Sequence, residues 1–454
     1  MRRPGFVSLL AASVLGVYLL VIIGATAALS DAAAACGGWP ACSGDLSNPS
    51  VLVVLGHRAI AAVVGVLVVV TAAVGWSMAS RRVKLALGAT LVLYPAQVAV
   101  GALVALAGGF DGLHLVLAMT IFATLVVALA WQLEVETGTE TEPGSNDTSE
   151  PTSEPLEAVI SPPTLTGVDR IKATAGAYFQ LMKPRLMWLL CLVAGAGMVL
   201  AGTPSVGTVI ATLGGGVLAI GASGTFNHVL ERDIDRRMSR TADRPLATHE
   251  VPVRNALAFG GFLTVASMAA FLTVNLLVAA LGLVAIVFYS VVYTLILKPN
   301  TVQNTVLGGA AGALPALIGY AAVADTVGLV GLTLAGVIFL WTPAHFYNLA
   351  LAYRDDYERG GFPMMPVVRG DTETRKHILW YLGATLLAAG VLAALANLGW
   401  LYGAVTITLG GVFLWAVIRL HREQTETAAF RAFHASNAYL GLLLVAILLD
   451  GLAV

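Results

Sequence analysis

The chain has 454 residues, of which 58% are hydrophobic and only 11% charged, with a formal net charge of −1. Its mean hydropathy of +0.84 excludes an ordinary soluble globular protein, and the small net charge gives no electrostatic basis for a nucleic-acid partner. Apolar segments of about 20 residues recur along the chain, and each is long enough to cross roughly 30 Å of hydrocarbon. The composition therefore predicts an all-α integral membrane protein.

Four apolar segments open the chain and predict four transmembrane helices, at about 6–29, 51–75, 84–107 and 113–132. Arg81 and Arg82 follow the second segment, whereas the loop at about 30–50 has no basic residue. By the positive-inside rule the N-terminus is cytoplasmic, and Cys36 and Cys42 face the outside, where a disulfide can persist. We assign residues 1–132 to a four-helix bundle domain.

A polar segment of different composition follows at residues 133–165. It is rich in Glu, Thr, Ser and Pro, has no Lys or Arg, and offers almost nothing apolar to bury. Such a composition is typical of disordered chain. We therefore predict an acidic linker to a second domain at 166–454.

The second domain contains nine further apolar segments. They lie at about 186–202, 206–226, 255–273, 276–296, 303–323, 328–349, 378–397, 399–419 and 433–453. Because alternate crossings return the chain to the same side, the large polar loops after the second and sixth segments both lie on the cytoplasmic face. We expect these two loops to meet over one cavity.

The first polar loop concentrates the charge of the chain. Read as a helix, Asn227, Glu231 and Asp235 are spaced i, i+4 and i+8 and project from one face. Their oxygens suit Mg²⁺, and the nearby arginines are of the type that binds phosphate oxygens: Arg236, Arg240 and Arg244. This pattern favours a diphosphate ligand over the alternative, a solvated loop whose arginines only fix topology.

The second polar loop, at 350–377, supplies further acids. Asp355 and Asp356 follow the end of the sixth segment. Two acidic clusters on one membrane face can hold metal ions and a diphosphate between them. His345 approaches this loop from within the segment, where either structural hydrogen bonding or a role in the site is open.

The motifs in these two loops resemble those of the UbiA-type intramembrane prenyltransferases. The selective ones are Arg232-Asp-Ile-Asp-x-x-Met-x-Arg-Thr241 and Phe362-Pro-Met-Met-Pro-Val367. Together with Lys183-Pro184-Arg185 and Trp341-Thr-Pro-x-His-Phe346, they resemble the protoheme IX farnesyltransferase (heme O synthase) branch. The likeness covers about 175–454, with Glu231 at a position where Asp is commoner.

This resemblance implies an enzyme that transfers a farnesyl group from farnesyl diphosphate to a vinyl group of heme b, forming heme O. It implies that Mg²⁺ and the diphosphate are held by Asn227, Glu231, Asp235 and Asp356. Lys183, Arg236, Arg240 and Arg244 add positive charge at the leaving group, and the further substrate-binding candidates are Asp233, His345, Arg354 and Asp355.

The first domain has a resemblance of its own. Cys36-Gly-Gly-Trp-Pro-Ala-Cys42, with His57 and His114, resembles the N-terminal half of heme A synthase. This resemblance implies that the two histidines bracket one heme iron. Only one four-span half is present, and no acid occurs between Asp45 and His57.

Two other functions remain open on the sequence. One is prenyl transfer to a quinone or glycerol-phosphate acceptor, and the other is a non-enzymatic membrane heme carrier. For either, as for heme farnesylation, we expect a multi-pass protein of the cell membrane. The heme-related resemblances imply heme A synthase or terminal oxidase assembly proteins as partners.

Overall fold

A computed structural model gives the structure of residues 5–29, 36, 38–42, 44–138 and 167–452. Thirteen helices within these ranges are long and apolar enough to cross a membrane, and the same ranges contain no β-strand. The predicted all-α membrane fold is therefore confirmed. Most of the predicted linker at 133–165 lies outside the described residues.

The first four spanning helices are α1 Phe6–Leu29, α2 Pro49–Gly75, α3 Arg81–Ala107 and α4 Asp111–Thr137. Side-chain caps fix two of their starts, because Asn48 accepts a hydrogen bond from the Ser50 amide and Ser80 accepts one from Val83. Helix α4 continues to Thr137, inside the predicted linker, because Leu133 is fully buried there.

The second part of the chain contains nine spanning segments and three short helices. Its elements are α5 Gly167–Leu181, α6 Pro184–Ala201, α7 Val206–Asp235, α8 Val253–Leu272, α9 Leu276–Val287, a π-helix Phe288–Leu297, α10 Lys298–Asn300, α11 Asn304–Ala324, α12 Leu329–Ala352, α13 Arg354–Arg359, α14 Met365–Arg369, α15 Asp371–Ala396, α16 Trp400–Glu423 and α17 Glu426–Leu452. Helices α9 and α10 and the π-helix between them form one span. The sequence did not predict α5.

The first four helices pack directly against the second part of the chain. Helices α1 and α4 share a hydrophobic cluster with α12 and with α15 to α17. Glycines make this close approach possible: Gly411 lies against Leu15, and a Cβ at Gly383 would come within 2.7 Å of Val126. Small residues commonly allow such close packing between membrane helices.

Polar contacts join the same two parts at one end of the interface. Lys376 Nζ on α15 lies 3.0 Å from Glu134 Oε1 on α4. Gln424, at the end of α16, donates a 2.8 Å hydrogen bond to the Thr137 carbonyl oxygen. The end of α4, inside the predicted linker, is thus fixed to the second part of the chain.

Candidate functional site

The centre of the candidate site is a column of polar side chains at the end of α7. Asn227, Glu231 and Asp235 lie on one helical face, and each is at most 4% exposed. Helix α7 continues through all three, which confirms the helical spacing predicted from the sequence. Two carboxylates and an amide buried at a membrane boundary are costly unless they are paired.

A basic side chain from another part of the fold pairs with each member of this column. The Lys183 ammonium donates to Asn227 Oδ1, and Lys298 Nζ lies 2.6 Å from Glu231 Oε1. Arg244 Nη1 lies 2.9 Å from both Asp235 oxygens. Three cations from separate loops and helix ends thus face the two carboxylates and the amide of the column.

The π-helix places a second column beside the first. The Thr294 hydroxyl donates 2.8 Å to the Tyr289 carbonyl, five residues back, and accepts 3.0 Å from Asn227 Nδ2. Residues Phe288–Leu297 are wound as a π-helix, a form that is frequent at functional sites. Tyr289 also accepts a 3.1 Å hydrogen bond from Lys183.

Asp356 connects the two acidic loops, as the sequence predicts. Its carboxylate accepts hydrogen bonds from the Ser239 amide at 3.1 Å, the Ser239 hydroxyl at 2.7 Å and the Arg240 amide at 3.2 Å. Arg359 donates a further bond. Burial opposes ionisation of Asp356, but these bonds outweigh it, so the pKa of this carboxyl lies below its ordinary value.

Arg240 lies between the two loops. Its Nη2 donates a 3.2 Å hydrogen bond to the Tyr357 hydroxyl, and its guanidinium stands 4.9 Å from the centre of the Tyr353 ring. The aromatic contacts orient this cation at the junction of the loops. Its Nε is buried and has no hydrogen-bond partner among the described residues.

An apolar cavity begins at Lys183 and Tyr289 and extends along α6, α7 and α11. Its walls include Leu186, Ala219, Phe271 and Ile318. The cavity adjoins the polar column, so an amphiphilic ligand could place its charged end on the column and its chain in the cavity.

Lys183 stands where the cavity and the column meet. It lies just before α6 in a left-handed backbone conformation (φ 56°). Burial lowers the pKa of its ammonium group to about 8, with a further contribution from the nearby charge of Arg244. Burial of this ammonium group therefore costs desolvation free energy, and a bound anion would offset that cost.

Two predicted residues of the first loop point away from the column. Arg236 Nε donates 2.9 Å to the Ala247 carbonyl, and its Nη2 lies 2.9 Å from His249 Nε2. Asp233 is 63% exposed and lies 3.3 Å from Arg236. Both residues belong to the surface of this loop.

Three predicted residues of the second loop region also lie elsewhere. Arg354 pairs at 3.3 Å with Asp371 on the surface, and Asp355 is exposed. His345 is buried between α12 and α17, where its Nδ1 lies 2.6 Å from the Ser436 hydroxyl. Its ring stacks on Trp341 and Phe433, so its contacts are those of a core histidine.

Several residues of the site have no recognisable sequence signal. One almost continuous apolar span supplies Lys298, Tyr289 and Thr294. Its lone lysine, at the end of the span, is the only sequence feature that could have indicated a role in the site. Ser239 lies within the quoted motif but was not singled out. Their roles depend on contacts between helices that sequence spacing does not encode.

The structure brings together the two histidines predicted in the first domain. The ring centres of His57 and His114 are 6.5 Å apart, and Gln97 Nε2 lies 3.2 Å from His114 Nε2. The Nδ1 atoms of both rings are buried without a hydrogen-bond partner among the described residues. Gly101 leaves room for the His114 ring, since a Cβ there would lie 2.8 Å from His114 Cε1.

A disulfide closes the loop beside these histidines. Cys36 and Cys42 are bonded, with their Cα atoms 5.1 Å apart, and this confirms the predicted pair. Arg58, next to His57 on α2, donates a 3.0 Å hydrogen bond to the Pro40 carbonyl. The loop is thereby attached to the helix that carries His57.

The chemistry of the polar column suits a hard cation. Its side chains offer amide and carboxylate oxygens, which Mg²⁺ prefers, and it often completes its coordination with water and substrate oxygens. Among the described residues, no three His, Cys, Asp or Glu side chains form a ready cluster for a metal. The acids instead face ammonium and guanidinium groups on flexible side chains that a bound metal could displace.

Comparison with known proteins identifies close relatives across the whole chain. A sequence model described as the UbiA prenyltransferase family matches residues 188–443. Protoheme IX farnesyltransferase 1 of Natronomonas pharaonis is 72% identical over 454 residues, covering 100% of both chains. Protoheme IX farnesyltransferase of Haloarcula marismortui is 64% identical, covering 99% of this chain and 98% of its own.

A solved structure supports the fold of the second part. A structure described in a study of digeranylgeranylglyceryl phosphate synthase superposes with a TM-score of 0.53 at 13% identity. The match covers 62% of this chain and 100% of that one. At this low identity the likeness concerns the arrangement of the helices alone.

Proposed function

This chain belongs to the UbiA prenyltransferase family, and we propose that it transfers a farnesyl group from farnesyl diphosphate to a vinyl group of heme b, forming heme O. The observation that carries this function is identity of 72% and 64%, over nearly the full length, to relatives named protoheme IX farnesyltransferase. The geometry of the polar column and the adjoining cavity supports the same reaction.

The polar column would receive the diphosphate. Asn227, Glu231 and Asp235 would hold Mg²⁺, and the bound ion would neutralise charge on the leaving diphosphate. Lys183 and Arg244 already stand at the column and would contact phosphate oxygens directly. Asp356 would fix the loop from Ser239 to Arg240 through its hydrogen bonds, and it would also be a direct ligand of Mg²⁺.

The apolar cavity would receive the farnesyl chain. Its walls are largely aliphatic, and it starts at Lys183, which also donates to Asn227. A farnesyl chain in the cavity would place its diphosphate on the polar column and its first carbon where the cavity meets the column. The enclosing helices keep bulk water away from the reacting carbon.

The reaction balances with water as the third reactant. The allylic C1–O bond breaks, and its electron pair leaves with the diphosphate. The π electrons of the heme vinyl group then form a carbon–carbon bond to C1. Water adds to the cation left on the heme side and releases a proton, giving the hydroxyethylfarnesyl group.

A quinone or a glycerol phosphate is the alternative acceptor for prenyl transfer at this site. A heme carrier without catalysis would have no use for a buried column of paired acids and cations, which is costly to maintain. The observation that favours heme is the shared name of the full-length relatives. Acceptor choice is therefore the part of the proposal that needs the most direct test.

We also propose that the first four helices, which share a hydrophobic cluster with the second part of the chain, bind heme between His57 and His114. The ring centres of His57 and His114 are 6.5 Å apart, so the two imidazoles would supply nitrogen ligands to one heme iron. The unpartnered Nδ1 atoms leave both rings able to reorient. The full-length protein should then show a bis-histidine heme spectrum that His57→Ala removes.

For the protein in its cell, we propose insertion in the cell membrane with the N-terminus and both acidic loops in the cytoplasm. The disulfide loop between Cys36 and Cys42 would then face outside. Heme A synthase and terminal oxidase assembly proteins are the partners that a heme O product would require. Labelling of single cysteines placed in each loop would test this orientation.

The proposed acceptor can be tested with purified full-length protein. Farnesyl diphosphate and Mg²⁺ would be supplied with heme b, with a quinone precursor or with a glycerol phosphate, and the products analysed by mass spectrometry. Heme b should gain a farnesyl group and the elements of water. Prenylation of another acceptor with heme b unchanged would reassign the substrate, and no product with any acceptor would favour the carrier.

A further inference from the structure

We propose that the aromatic ring of Tyr289 stabilises the positive charge that develops on the allylic carbon as the diphosphate leaves. This inference rests on the proposed prenyl transfer and adds a catalytic residue that lies outside both acidic motifs. It depends on the position of Tyr289 between the polar column and the apolar cavity.

Tyr289 and Lys183 both line the cavity where it meets the column. Lys183 lines the cavity and donates to Asn227, and Tyr289 lines the same wall and accepts from Lys183 at 3.1 Å. A substrate with its diphosphate on the column and its chain in the cavity must cross this boundary. Its first carbon, where the C–O bond breaks, is therefore placed beside Tyr289.

The Tyr289 ring already has a cation beside it. Lys183 Nζ stands 5.4 Å from the ring centre and 3.1 Å from the hydroxyl oxygen, so it lies beyond the hydroxyl edge and not over the ring face, whose attraction for a cation reaches to roughly 6 Å. Tyr293 stacks on the same ring at 5.6 Å and holds it in place from the π-helix. The site thus presents a fixed, electron-rich ring where the reaction generates charge.

The π-helix accounts for this orientation. The Thr294 hydroxyl bonds the Tyr289 carbonyl, and Thr294 also bonds Asn227, so the backbone of Tyr289 is fixed to the α7 column. A ring held in advance needs no reorganisation when charge appears. An interaction made with the cation, and not with the neutral substrate, raises the rate of the chemical step and leaves substrate binding unchanged.

A second aromatic residue of the cavity provides a matched control. Phe271 lines the cavity, but it packs against Gly215, about 12 residues before Asn227 and hence roughly 18 Å away along α7. It should contact the tail of the prenyl chain. Phe271→Leu should therefore raise the half-saturating concentration of farnesyl diphosphate, and its single-turnover rate at saturation should fall less than that of Tyr289→Leu.

The test compares Tyr289→Phe, which keeps the ring, with Tyr289→Leu, which removes it. Single-turnover release of diphosphate should fall about 10- to 30-fold in Tyr289→Leu and stay within about threefold of wild type in Tyr289→Phe. The half-saturating concentration of farnesyl diphosphate should not change. Equal rates in the two variants, whether both normal or both slow, would overturn the proposal.

A second measurement applies if Tyr289→Leu fails to fold. Phenylalanine with increasing ring fluorination at position 289 keeps the shape and weakens the attraction of the ring for a cation. The rate should fall with each fluorine at 289 more steeply than in the same series at 271, and a flat series at 289 would overturn the proposal. Diphosphate release reports C–O cleavage with any acceptor, whereas the mass of the heme product separately tests the proposed function.

Discussion

Asp235→Asn is the substitution that probes the polar column most sharply. Asp235 is 3% exposed, and both of its carboxylate oxygens lie 2.9 Å from Arg244 Nη1. The amide keeps the shape and one acceptor oxygen but removes the negative charge. Arg244 loses its ionic partner, and a bound Mg²⁺ would lose a carboxylate ligand.

The structure separates the effect on stability from the effect on rate. A hydrogen bond to a charged group contributes about 1.5–3 kcal/mol, and the loss should be near the lower figure because Arg244 is 25% exposed and keeps contact with water. Loss of one preorganised electrostatic group at the reacting centre lowers the rate about 10²-fold or more, or about 2.7 kcal/mol. The variant should therefore fold but turn over slowly.

The assay is farnesylation of heme b by purified protein over a range of Mg²⁺ concentrations. Asp235→Asn should need more Mg²⁺ for half-maximal rate and remain slow at saturation. Asp243→Asn, an exposed acid in the same loop, should behave like wild type. Wild-type turnover and an unchanged Mg²⁺ requirement in Asp235→Asn would refute the reasoning about the column.

Three further predictions concern other parts of the molecule. Burial lowers the pKa of Lys183 to about 8, so its ammonium group loses its charge as the pH rises through that value. The kcat/KM for farnesyl diphosphate should therefore fall over the same pH range. In Lys183→Arg the kcat/KM should stay level there. When a protease site inserted in the linker is cleaved, the two parts of the chain should still elute together on gel filtration. Gly383→Leu, whose side chain would overlap Val126, should separate them after cleavage. Gly88→Leu, at a position with open space, should not separate them. Excess chelator should abolish prenyl transfer and added Mg²⁺ should restore it, and activity that persists in chelator would count against a metal-held diphosphate.

Regular spacing was enough to predict the column on α7. Asn227, Glu231 and Asp235 lie on one face because an α-helix brings every fourth residue to the same side, and this rule acts within a single element. The meeting of the two acidic loops also followed from counting membrane crossings. Asp356 accordingly contacts Ser239 and Arg240.

Contacts between elements were harder to predict. Lys298 contacts Glu231, and Thr294 contacts Asn227, from the span that includes the π-helix. The π-helix changes which residues of that span face α7, and a hydropathy profile does not report this change. His345 fits the motif but is buried against Ser436, since the packing of α12 on α17 decides its surroundings. Helix α5 was missed because it has only 15 residues and mixes charged with apolar side chains, so its hydropathy does not mark it as a span.

The most direct test of the central claim is mass spectrometry of the hemes in membranes of cells that lack their own heme farnesyltransferase. Cells that express this chain should accumulate heme b carrying a hydroxyethylfarnesyl group, and cells that express Asp235→Asn at equal level should contain very little. If the wild-type chain is present in the membrane and only unmodified heme b is recovered, the assignment of heme b as the farnesyl acceptor is wrong.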